Sequence, residues 1–188
     1  MKKWLFNPFI YIAGARSLIA GLGFMLLTAV IAFFSHTHFD GAIDMHTGRI
    51  TPLSVYLLEQ LVDWGCLVML FYIGGQLFSR TSVRLVDVAG TIALARWPLL
   101  FAAALGFGIS IPRSQNVQDI ISNITPLVII CMASAVVFCV WMIALLYNAF
   151  IVSSNMKTNK AIPVFITVIV IAEVCTHLIL HQIYTYII

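Results

Sequence analysis

The chain has 188 residues, of which 62% are hydrophobic and 9% charged, with a formal net charge of +3 and a mean hydropathy of +1.04. Soluble domains carry about a quarter charged residues, so this composition excludes an ordinary soluble domain and points to an integral membrane protein. No run of basic residues suggests a nucleic-acid partner, and the partner the composition implies is the lipid bilayer.

The start, Met1-Lys2-Lys3 followed by apolar residues and then Ala13-Gly14-Ala15, has the outline of a signal peptide. Asn7-Pro8 interrupts the apolar run, however, and a full span follows at once. Residues 1–14 therefore read as an interfacial segment. Lys2 and Lys3 would face anionic lipid, and Trp4, Phe6, Phe9 and Tyr11 would sit at headgroup depth.

Five apolar runs follow, at about 17–34, 53–78, 90–111, 126–152 and 162–187, each near the ~20 residues that cross the hydrocarbon as helix. They predict a single-domain, all-α, polytopic bundle of five transmembrane helices. Pro52, Pro112, Pro126 and Pro163 mark the run ends, where a residue without an N–H fits a first helical turn. Small residues predict close helix contacts: Gly21 and Gly23, Gly74 and Gly75, and Ala102, Gly106 and Gly108. Cys66, Cys131, Cys139 and Cys175 all fall inside apolar runs and read as small packing residues.

Basic residues set the orientation. Lys2, Lys3, Arg16, Arg80, Arg84, Lys157 and Lys160 fall on one side, seven in all, against Arg49 and Arg113 on the other. The bias predicts a cytoplasmic N-terminus and an outward C-terminus. The first outward loop, residues 35–52, holds His36, His38, Asp40, Asp44 and His46.

Ionisable residues inside spans are costly and mark protein interior or water. Glu59 and Asp63 lie in the outer half of the second run, four apart and so expected on one helix face. Glu173, His177 and His181 follow at steps of four in the fifth run. Arg96, before Trp97-Pro98 in the third, would snorkel toward the cytoplasm or pair with Asp87 or a buried carboxylate.

Topology thus brings all five histidines and both acids of the second run to the outer leaflet. Three readings stay open. The histidines and acids bind a divalent metal, with zinc best matched to mixed His and carboxylate ligands. They form a proton or ion relay. Or they are polar pairs that hold helices together. A metal would bring small-transporter or metal-dependent hydrolase functions into view. No HExxH or GxSxG motif is present, so the residues mark no enzyme.

At Asp87-Val-Ala-Gly-Thr-Ile-Ala-Leu-Ala-Arg96-Trp-Pro98, with Asn7-Pro8-Phe9 upstream and His-Thr-His-Phe-Asp-Gly between, the chain resembles bacterial members of the YIP (Ypt-interacting protein) superfamily. The resemblance covers nearly the whole chain. It implies five spans, an N-in and C-out orientation in the bacterial cytoplasmic membrane, and a role in organising membrane or scaffolding partner membrane proteins or further copies of itself. It implies no enzymatic activity and no catalytic residues. Eukaryotic relatives bind Rab-type GTPases through a long cytosolic N-terminal region. With only residues 1–16 before its first span, this chain is a poor fit to GTPase binding.

Overall fold

The computed structural model describes residues 2–48, 50–109 and 124–187, without the side chains of 2, 3, 186 and 187. Arg49, Arg113, Pro112, most of the loop 112–125 and the predicted end of the third span lie outside the described residues. So do the side chains of Lys2 and Lys3.

Among the described residues the architecture is all-helical apart from one hairpin of two-residue strands. A short helix α1 (Lys2–Phe6) and a 3-10 turn (Pro8–Ile10) lead into α2 (Ala15–Ser35). The hairpin β1 (Thr37–His38) and β2 (His46–Thr47) follows. Then come α3 (Leu53–Phe78), α4 (Leu85–Ala95), α5 (Leu99–Leu105), α6 (Pro126–Ser154) and α7 (Thr158–Ile187). With α4, α5 and a 3-10 turn counted as one crossing, five helices among the described residues are long and apolar enough to span a membrane.

The helix ends follow local chemistry. Gly14 sits at φ 64 ahead of α2, a conformation that costs glycine nothing. Thr125 caps α6 by accepting the Val128 N–H at 3.3 Å, with Pro126 in the first turn. His36 and Asn155 end α2 and α6 in the left-handed region. The third crossing starts at Leu85, five residues before its predicted start. α7 likewise starts at Thr158, which leaves Pro163 inside the helix instead of at its beginning.

The third crossing is the axis of the bundle. In its most apolar window 72% of residues are buried, against 22–33% in the other four. Its neighbours approach closely through small residues. A methyl group on Gly21 would run into the Ala93–Leu94 backbone, and one on Gly90 would meet Leu18 and Ser17 of α2. With no hydrophobic drive between helices in lipid, such backbone approach supplies the packing. Of the expected small residues, Gly23 meets nothing.

The crossing breaks at Arg96-Trp97-Pro98. Pro98 disfavours a helical residue before it and offers no N–H. The break leaves the Arg96 side chain 1% exposed, turned toward α3. Snorkelling toward one face of the membrane is therefore corrected: Arg96 is an interior residue.

At one end, Ser79 after α3 donates to the Ser154 carbonyl at 2.6 Å. The interior there closes on Phe71, whose ring lies 5.1 Å from Phe150 and 5.6 Å from Phe165. α1 lies along α6, where Trp141 and Asn148 donate to the Leu5 and Phe6 carbonyls, each at 2.9 Å. Trp4 and Tyr11 stack on each other and stay exposed. Phe9, expected at headgroup depth, is instead buried in the core. At the opposite end the hairpin loop folds inward over α3 and α7.

Candidate functional site

That inward-folded loop, residues 36–48, forms a lid over the bundle. Thr37, His38, Phe39, Gly41 and Ala42 are buried although they belong to a polar loop. Buried backbone groups need partners, and α3 and α7 provide them. Glu59 of α3 accepts the Phe39 N–H at 3.0 Å. Glu173 and Thr176 of α7 accept the Ile43 and Ala42 N–H groups at 2.9 and 3.1 Å. The lid is thus latched by side chains to its backbone.

Glu59 is the centre of the latch. It is fully buried. Besides the Phe39 amide it takes His38 Nδ1 at 2.6 Å and the Tyr184 hydroxyl at 2.6 Å. Three donors on one carboxylate replace the water it lost, and bonds to an ionised acceptor are the stronger kind. Nδ1 carries the proton when it faces a carboxylate. The His38 ring is held flat between Tyr56 at 4.5 Å and His46 at 5.5 Å. His46 in turn meets Asp40 at 3.0 Å.

This outer pair is a charge pair in the lid itself. The Asp40 hydrogen bond and charge raise the His46 pKa above its ordinary value, against partial burial. For Asp40, partial burial is the largest influence and pushes the pKa up. The hydrogen bond and charge of His46 together outweigh it and leave Asp40 below the usual carboxylate range.

One turn deeper on α3 lies a second cluster. Asp63 Oδ2 accepts Arg96 Nη2 at 2.9 Å, and Gln60 Oε1 accepts the same nitrogen at 3.3 Å. All three side chains are at most 3% exposed. Here the bonding is incomplete. Arg96 Nε and Nη1, Gln60 Nε2 and Asp63 Oδ1 are buried without a partner among the described residues.

The structure divides the expected ligands accordingly. The lid and the outer half of α7 do share one end of the bundle, and Glu59, His38, Asp40, His46 and Glu173 gather there. Asp63 does not share the role of Glu59. Four residues turn a helix by about 40° beyond a full circle, and that drift aims Asp63 at Arg96. His36 is exposed at the end of α2, and the exposed Asp44 accepts its neighbour's N–H at 2.8 Å. His177 and His181 are exposed, with His177 near enough for its charge to act on Asp40. Among the described residues, no three His, Cys, Asp or Glu side chains are gathered as a metal site.

Sequence reasoning missed Tyr184, Thr176, Tyr56 and Gln60. A signal existed for two of them. Glu173, Thr176, Leu180 and Tyr184 follow steps of three, four and four, which hold one helix face. The steps of four to His177 and His181 drift off that face. Comparison with family models, with curated proteins and with solved structures finds no match for this chain.

Proposed function

We propose that the chain is an integral membrane protein of the YIP type, with its N-terminus cytoplasmic and its C-terminus outside. In this reading it organises membrane or scaffolds partner membrane proteins, further copies of itself included. The observation that carries the reading is the distribution of exposure. One crossing is 72% buried while the other four keep 67–78% of their apolar windows on the surface. A core so narrow inside so broad an apolar surface suits lateral contacts in the bilayer. The buried charged residues support the same reading, because among the described residues they reach inward only as far as Asp63 and Arg96. Below them the interior is Leu67, Phe71, Phe150 and Phe165. That packing favours a scaffold over a conduit.

The reading is tested in proteoliposomes and in cells. Imposed proton and zinc gradients decay no faster with the protein than without it. A photo-crosslinker placed at Val137 on the exposed face of α6 gives discrete membrane-protein adducts in intact cells. Saturable flux that is lost in Glu59→Gln would replace the scaffold by a transporter.

One observation favours a second reading, a divalent-metal site. Asp40 pairs with His46, and the charge of His177 reaches both Asp40 and Glu173. Zinc would suit this mixed donor set, with the exposed His177 moving in to complete it. Protein purified without chelators would then hold about one metal per chain, lost in His177→Ala. Metal-free wild type would remove this reading.

A further inference from the structure

On the side of the lid away from its latch, the structure holds a groove. Among the described residues its walls are the second half of the lid, Ile43–Thr47, Ile109, and α6 from Met132 to Ile143. It is a cavity of about 480 Å³, within the ~300–1,000 Å³ range of small-molecule sites. The α6 wall is apolar and built from Val136, Cys139, Val140 and Ile143. The polar groups stand together on the lid: Asp44, His46 and Thr47. Such a shape is amphiphilic, with an apolar trough and a polar rim at one end.

The charges on that rim narrow the occupant. Asp44 is exposed, and among the described residues its carboxylate accepts the Met45 N–H next to it. The side chain of His46 is 47% exposed and is favoured as a cation by Asp40. The Asp44 carboxylate and the second ring nitrogen of His46, whose Nδ1 pairs with Asp40 at 3.0 Å, stand two residues apart and complement a headgroup that carries one charge of each sign. The α6 wall faces lipid, since neighbouring Val137 is 65% exposed. An acyl chain can therefore enter from the bilayer without crossing protein.

We propose that this groove is a specific phospholipid site that seats one acyl chain along α6. Its rim holds an aminoethyl phosphate headgroup, with the ammonium on Asp44 and the phosphate on His46. The occupant is thus phosphatidylethanolamine. The lid joins the two ends of the arrangement. Phe39, Ala42 and Ile43 are latched to Glu59, Thr176 and Glu173, and Asp44, His46 and Thr47 form the rim. A bound lipid therefore holds the lid closed from the side opposite the latch.

Native mass spectrometry of the full chain, exchanged into mixtures of phosphatidylethanolamine and phosphatidylglycerol, tests the proposal. The wild type retains one phosphatidylethanolamine, preferred about fivefold, the size expected of a partly exposed ion pair. Asp44→Asn removes the preference while still retaining a lipid. Val136→Trp fills the trough and abolishes retention, with a circular-dichroism melt to show that the variant is folded. If Val136→Trp fails to fold, Ala135→Leu, a smaller addition to the same trough, takes its place. Equal retention of both lipids by the wild type overturns the assignment. So does a folded trough variant that keeps its lipid, or a wild-type groove covered by a second copy of the chain.

Discussion

The two polar clusters on α3 lie one helical turn apart and solve the same problem differently. At Glu59 the carboxylate gathers an imidazole, an amide and a phenol. At Asp63 the carboxylate meets one guanidinium nitrogen, and four buried polar atoms of the cluster remain without partners. The outer cluster borrows one loop backbone N–H, from Phe39, beside its two side-chain donors. The inner one is made from two side chains of α3 and one at the end of α4, with no loop backbone to draw on. Buried groups of this kind in a polar site ordinarily bond to internal water. The lid is thus a fitted structural part, whereas the break at Arg96 leaves polar capacity unmet among the described residues.

The largest test of this contrast is to remove one partner of the inner pair. Arg96→Leu or Asp63→Leu each strands an opposite charge in the interior and costs about 3–5 kcal/mol. The double variant, Asp63→Leu with Arg96→Leu, recovers most of that loss, because apolar replacement of a buried pair is near neutral. Thermal unfolding in detergent measures all three. A double variant as unstable as the singles would show that the pair organises more than its own charges.

Much of this was legible in the sequence, and the omissions have physical causes. Run length and hydropathy located the five helices long and apolar enough to cross a membrane, because lipid imposes its thickness on helices directly. The start of the third crossing was missed because Leu85–Ala89 includes the charged Asp87, which meets solvent-side Arg84 at 3.8 Å. The lid residues and Glu59 were picked out by their rarity in an apolar chain. Their partners were not, because Tyr184 and Tyr56 look like ordinary membrane aromatics until tertiary contact turns a hydroxyl or ring toward the site. Asp63 and Glu59 were joined too readily, since spacing alone does not tell which neighbouring helix each residue faces.

A smaller effect tests the outer cluster. Glu59→Gln keeps the shape but turns an N–H toward one of three donors, at a cost of about 2 kcal/mol. Tyr184→Phe removes a single bond and costs about 1 kcal/mol. Hydrogen exchange distinguishes a latch from general destabilisation. In both variants the Phe39 amide exchanges faster than the Leu67 amide in the core of α3. Parallel acceleration of the two would mean that Glu59 supports the whole bundle and not the lid in particular.

The smallest effect is the titration of the lid. His46 has its folded pKa raised above 6.5, so its contribution is complete below that value and fades as pH rises through the folded one. Asp40 has its folded pKa lowered below 3.8, so its contribution is complete above that value and fades as pH falls through the folded one. Both signs agree on a window from about pH 4 to 6.5 in which the lid is most firmly held. The pair is partly exposed, so screening limits its worth to at most about 1 kcal/mol. Asp40→Asn removes the main support of the imidazolium, and the NMR titration of His46 then moves to lower pH. The inner cluster offers the contrast, since Asp63→Asn leaves that midpoint in place. A His46 midpoint that followed Asp63 and ignored Asp40 would mean that the two clusters titrate as one unit, and the separation drawn between the fitted lid and the underbonded break would be lost.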